Sequence, residues 1–173
     1  MNSWPPMEHR GPVVTEADVR RLEQQLGTKI PDEYRRFLLE VNGGRTAETH
    51  CTFTMQRAER RASTVLNVLY SLNHADQRFD LATQQLYGEA EDRLRGGLEV
   101  GADDGGGSIV LVLVGPHRGE LWMLDRVDPR PTGSNPRVEW FDRRDVWRLA
   151  GSFAEFMAGL RPLDDDAGAS AAP

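Results

Sequence analysis

The tripeptide Asn42-Gly43-Gly44 divides this chain into two parts with different hydrophobic periods, and that division constrains the fold more than any other feature. Before it, apolar residues recur at helical spacing. Thr15 supplies a capping hydroxyl, Glu16 and Asp18 stand where a helix dipole favours acid, and Val19, Leu22 and Leu26 follow at i, i+3 and i+7 before Gly27. A second helix begins at Pro31, which suits a first helical position. Asp32 and Glu33 suit its first turn, and Tyr34, Phe37, Leu38 and Val41 share one face. Asn42, Gly43 and Gly44 accept the left-handed backbone that commonly ends a helix, so the chain stops there and turns.

Beyond the stop the period falls to two. Cys51, Phe53 and Met55 alternate with Thr52 and Thr54 as a half-buried strand, while residues 64–70 form an apolar run that fits either a strand or a buried helix. Phe79, Ala82, Leu86, Ala90 and Leu94 restore helical spacing up to Gly96-Gly97, with Gly88 as a weak point. Residues 98–100 read as a short strand, 101–107 as a turn, and 108–114 as a strand apolar on both faces, hence central. The turn at 115–119 leads into a strand over 120–125, completing a hairpin. After Pro129, Pro131 and Pro136, residues 138–141 read as a further strand. Ser152 and Glu155 then form a capping box for a last helix, with Phe153, Phe156, Met157 and Leu160 on one face. Helices, then strands with one inserted helix, then a closing helix is the order of an α+β fold, not of an alternating parallel sheet.

At 173 residues, 39 % of them hydrophobic, the chain suffices for one domain with its own core. Residues 13–160 carry the periodic pattern. Residues 1–12, with Pro5, Pro6 and Pro12, read as a flexible leader, and 161–173, with Asp164, Asp165 and Asp166, as a disordered acidic tail. No apolar run approaches the roughly 20 residues of a membrane span, and the start lacks signal-peptide order, so a cytoplasmic protein is expected. The single Cys51 excludes an internal disulfide and any site built on several thiolates. A net charge of −6 argues against a protein whose main work is to coat nucleic acid.

Four constellations invite a chemical reading. Asp103 and Asp104 beside Gly105, Gly106 and Gly107 resemble a phosphate or metal loop, but the glycines lack the Lys-Ser/Thr of a P-loop, and no further ligand stands at EF-hand spacing. A tight turn explains the same residues. His50, Cys51 and His74 suggest a nucleophile with a base, yet Cys51 lies on the apolar face of its strand, where a small buried hydrophobe is expected. His9 and His117 add no paired-ligand spacing, so neither metal nor cofactor is expected. Arg57, Arg60 and Arg61 with Trp122, Trp140 and Trp147 would make a stacking platform only if they shared one face, and Leu121 and Met123 mark Trp122 as a sheet-packing residue.

The motifs resemble the SUKH superfamily, which includes the yeast cell-wall-synthesis regulator and many bacterial immunity proteins. The resemblance rests on residues 30–38 (Ile-Pro-Asp-Glu-Tyr-Arg-Arg-Phe-Leu) ending in Asn42-Gly43-Gly44, on Leu98-Glu99-Val100-Gly101 and on Asp104-Gly105-Gly106-Gly107. It extends through strand 109–114, Gly119-Glu120-Leu121-Trp122 with Asp125, and residues 152–156, Ser-Phe-Ala-Glu-Phe. It implies a curved antiparallel sheet flanked by N-terminal helices and a C-terminal helix, with Pro31, Tyr34, Asn42, Gly43, Gly44, Gly105, Gly106, Trp122, Phe153 and Phe156 as structural residues. The implied activity is binding, without catalysis, to a cognate toxin protein, often a nuclease; a regulatory scaffold that binds another cellular protein is the alternative. A monomer is expected. For partner contact the expectation falls on Asp76, Asp80, Glu89, Glu91, Asp92, Asp103, Asp104 and Asp125, whose carboxylates would mimic phosphate before a basic nuclease. Residues 57–75 and 128–137 match no motif and are where partner specificity would reside.

Overall fold

The structure, a computed structural model, describes residues 4–87, 96–124 and 146–163. The elements are β1 (Met7–Glu8), α1 (Glu16–Leu26), α2 (Asp32–Glu40), β2 (Arg45–Thr46), β3 (Thr52–Arg57), β4 (Arg60–Leu69), α3 (Leu81–Tyr87), β5 (Gly97–Asp103), β6 (Ser108–Val112), β7 (Leu121–Leu124), β8 (Val146–Ala150) and α4 (Phe153–Ala158). β1 pairs with β2, and β3 to β8 close in chain order into an antiparallel barrel. The class is α+β, and the expected curved sheet closes on itself.

The first two helices form as their caps dictate. Thr15 accepts the Asp18 N–H at 3.3 Å while the Asp18 carboxylate accepts the Thr15 N–H at 2.9 Å, and Gly27 ends α1 at φ 68°. Pro31 caps α2 without a side-chain bond, and Asn42, Gly43 and Gly44 follow at φ 59°, 74° and 113°. Asn42 is more than a stop. Its buried amide donates to the carbonyls of Pro12 and Leu72 at 2.8 and 2.9 Å and its oxygen accepts the Leu72 N–H at 2.8 Å, tying three segments together. Space at Gly43 is equally restricted, since a Cβ there would stand 2.5 Å from Ser71 Oγ and 2.6 Å from the Tyr70 carbonyl.

α2 and α4 pack through aromatic rings: Phe153 lies 4.9 Å from Tyr34 and 4.8 Å from Phe37, centroid to centroid, and Phe156 meets Phe53 of β3 at 5.3 Å. Ser152 caps α4 by accepting the Glu155 N–H, but the Glu155 carboxylate takes the N–H of Gly151, not that of Ser152 as a full capping box requires. The Ala154 N–H instead reaches Glu33 of α2 at 3.1 Å, so the two helices share a polar contact as well as rings.

Several expectations change. The helix read from residue 79 begins at Leu81, because Asp80 caps it and Phe79 belongs to the 3-10 turn Gln77–Phe79; residues 88–95, its later part, lie outside the described residues. The ambiguous run 64–70 is the second half of β4, which starts at Arg60 and forms a hairpin with β3. β5 extends to Asp103 and shortens the turn read at 101–107. β6 is buried at every position, as a central strand must be, and ends at Val112. The strand read at 138–141 lies outside the described residues, whereas β8, with no counterpart in the sequence reading, closes the barrel.

Residues 4–11 of the leader contact α2 and the stop that follows it. Trp4 sets its ring edge-on to Phe37 and Phe153 and donates its indole N–H to Glu40 at 2.7 Å. Arg10 donates to the carbonyls of Val41 and Glu40, and the Gly11 N–H donates to Asn42 O at 3.0 Å. At the other end Arg161 exchanges backbone hydrogen bonds with Thr52, and the Leu163 N–H reaches the Glu48 carbonyl.

Candidate protein-binding face

A row of paired residues crosses the outside of the barrel. Strand register sets Arg61 beside Gln56, Gln56 beside Arg148, Arg148 beside Trp122, Trp122 beside Val110, and Val110 beside Glu99. Directly paired residues share a face. The chain neighbours of Gln56 and Trp122 include Met55, Leu121 and Met123, which belong to the core, so the row points outward. Its ends differ in burial: Val110 is covered and Glu99 and Trp122 are half-buried, whereas Arg148, Gln56 and Arg61 are exposed, with exposed Thr54 and Ser63 one step along β3 and β4.

A charged knot organises the middle of the row. Glu120 Oε2 accepts hydrogen bonds from Trp122 Nε1 at 3.0 Å and Arg148 Nε at 3.3 Å, and His117 Nδ1 lies 3.2 Å away. The imidazole meets the indole edge-on at 5.7 Å. Burial works to raise the Glu120 pKa, but the bonds from Arg148, Trp122 and His117 outweigh it and hold the carboxyl below its ordinary range. The arrangement fixes Trp122 and aims Arg148, two residue types that dominate protein–protein contact energies. At the hairpin tip, Arg60 lies over the Trp147 ring at 5.4 Å.

Of the acidic residues expected at an interface, the structure describes Asp76, Asp80, Asp103 and Asp104. Asp80 is 9 % exposed and caps α3, accepting the N–H and hydroxyl of Thr83 and the N–H of His74. Asp103 is 4 % exposed and accepts the Gly107 N–H at 2.6 Å and the Thr64 hydroxyl at 2.8 Å. Both are structural, and neither presents its carboxylate to a partner. Asp76 holds the 3-10 turn and pairs with Arg78 at 2.7 Å; the Arg78 hydrogen bonds lower its pKa to about 2. Asp104 is exposed in the turn after β5, and Glu89, Glu91, Asp92 and Asp125 lie outside the described residues. Of the turn glycines, Gly106 takes φ 78° and Gly105 packs beside the Asp103 carboxylate.

The nucleophile reading fails on geometry. Cys51 is buried and its thiol donates to the Glu48 carbonyl at 3.2 Å; burial pushes its pKa up, away from a thiolate. His50 bonds the Thr49 hydroxyl, and His74 bonds the backbone of Asp76. Among the described residues, no three His, Cys, Asp or Glu side chains are grouped to hold a metal ion, and no helix is long and apolar enough to cross a membrane. Arg60 and Trp147 do meet, but Trp147 is 6 % exposed and offers no open ring to a base.

Sequence reasoning missed Arg148 and Gln56. The only local signal is the apolar character of Val146, Trp147 and Leu149 ahead of Gly151, and nothing local says that this stretch runs between β7 and β3. No curated protein matches the chain closely enough to be counted a relative. The chain belongs to the SMI1 / KNR4 family (SUKH-1), whose model matches residues 13–159, a span that takes in the four described helices and the barrel strands.

Proposed function

We propose that this chain is an immunity protein that binds a cognate toxin domain in the cytoplasm and neutralises it by covering its active site or substrate groove, without chemistry of its own. A nuclease is the first toxin class to examine. The observation that carries the reading is the family match over residues 13–159. Two features support it: an outer barrel face with a fixed tryptophan and exposed arginines, and a cysteine placed as a core thiol. Co-expression tests it. A toxin domain encoded beside this gene should arrest growth alone and cease to do so when this chain is co-expressed, and the two purified proteins should form a stable complex. Continued arrest without complex formation would overturn the proposal, and capture of a non-toxic cellular partner would replace it with the scaffold reading.

A further inference from the structure

We infer that the partner docks an acidic polypeptide segment along the outside of β3, in a lane flanked by Arg61, Arg148 and Arg161. The inference rests on the binding function proposed above and specifies the chemistry of the partner. β3 places Thr52, Thr54 and Gln56 on its outer face at alternate positions about 7 Å apart; the half-buried Thr52 hydroxyl already donates to the Arg161 and Pro162 carbonyls and Thr54 bonds the Ser63 hydroxyl, which leaves exposed Gln56 as the uncommitted side chain. Cations border them: Gln56 lies in register between Arg61 and Arg148, and Thr52 pairs with Arg161. All three arginines are exposed. Arg161 donates to the carbonyls of Ala158 and Leu160, Arg148 gives its Nε to Glu120, and Arg61 meets no carboxylate within ion-pair distance among the described residues.

On a chain of net charge −6, three exposed arginines thus border one strand, with Arg148 partly neutralised by Glu120, and Arg61 and Arg161 steer an acidic segment there. Guanidinium forks match carboxylates two bonds at a time, and the Gln56 amide between Arg61 and Arg148 suits the backbone of an extended peptide. Nucleic acid fits less well. Trp147 is buried beneath Arg60 and presents no stacking surface, and a long polyanion meets the net negative charge. The sign is opposite to the phosphate mimicry expected from the acidic residues.

The test titrates the isotope-labelled full chain with a deca-glutamate peptide at low salt, following backbone amides by NMR. Shifts should concentrate at Thr54, Gln56, Arg61 and Arg148 and vanish at about 0.5 M salt. Arg61→Glu, at a position with no ion pair among the described residues, should weaken binding roughly tenfold or more, and Arg148→Gln should weaken it less. Shifts absent, or mapped elsewhere, overturn the inference, as does tighter binding of single-stranded DNA of equal charge at the same residues. Toxin neutralisation that is indifferent to Arg61→Glu also overturns it while leaving the immunity reading intact. Deca-glutamate binding on β3 in a chain that neutralises no toxin would overturn that reading and leave this face standing.

Discussion

Tyr34 carries its hydroxyl into the aromatic cluster between α2 and α4, fully buried and with no hydrogen-bond partner among the described residues. Burial pushes its pKa far above the ordinary phenol value. An orphaned buried donor costs free energy, so Tyr34→Phe is expected to hold or raise stability, by up to about 1 kcal/mol in urea unfolding. A loss larger than that would contradict the orphaned placement. Glu120 makes the opposite case. Its pKa is held down in the folded chain, so its stabilising contribution is complete above the ordinary carboxylate range and is lost as pH falls through the lowered value. Glu120→Gln should therefore cost about 1–2 kcal/mol at pH 7, and the gap from the parent should close as pH falls from about 5 to below 4. Chemical denaturation across that range checks it, and a gap independent of pH would refute the assignment.

At the scale of elements, two glycines with nearly the same backbone separate conformation from space. Gly27 at φ 68° has nothing near its missing Cβ, whereas at Gly43, φ 74°, a Cβ would press against Ser71 and two carbonyls. Gly27→Ala should cost about 1 kcal/mol for the left-handed backbone alone, and Gly43→Ala clearly more, about 2–4 kcal/mol, in thermal melts. Equal losses would mean that the turn after α2 relaxes. These turns were legible in the sequence because caps and stops are local: Thr15, Gly27, Pro31 and Asn42-Gly43-Gly44 each act on neighbours a few residues away. β8 was not legible. Val146 and Trp147 are both buried, so no alternation marks a strand, and the segment becomes one only through its pairing with β7 and β3. Asp103 misled for a related reason, since a carboxylate beside three glycines reads as an exposed turn until β5 carries it inward to Thr64 and Gly107.

At the scale of the molecule, the candidate face depends on register among β4, β3, β8 and β7, which joins residues 61, 56, 148 and 122; no sequence window contains them. Asp80 and Asp103 stand out in the sequence because charge is visible there and burial is not. The family match begins at residue 13, yet Trp4, Arg10 and Gly11 are fastened to α2 and Asn42. A chain starting at residue 13 should accordingly fold with unchanged circular dichroism but a melting temperature several degrees lower, because Phe37 and Phe153 lose the cover of Trp4. An unchanged melt would show that these leader contacts contribute nothing.

The proposed function requires that this fold bind a toxin and do no chemistry of its own. Calorimetric titration of the full chain with the toxin-like domain encoded beside its gene, at about 0.05 and 0.5 M salt, tests this. A one-to-one complex is expected, tight at low salt and weaker at high salt, formed equally well by Cys51→Ala. Failure to bind at either salt concentration, or binding abolished by loss of the buried thiol, would contradict it.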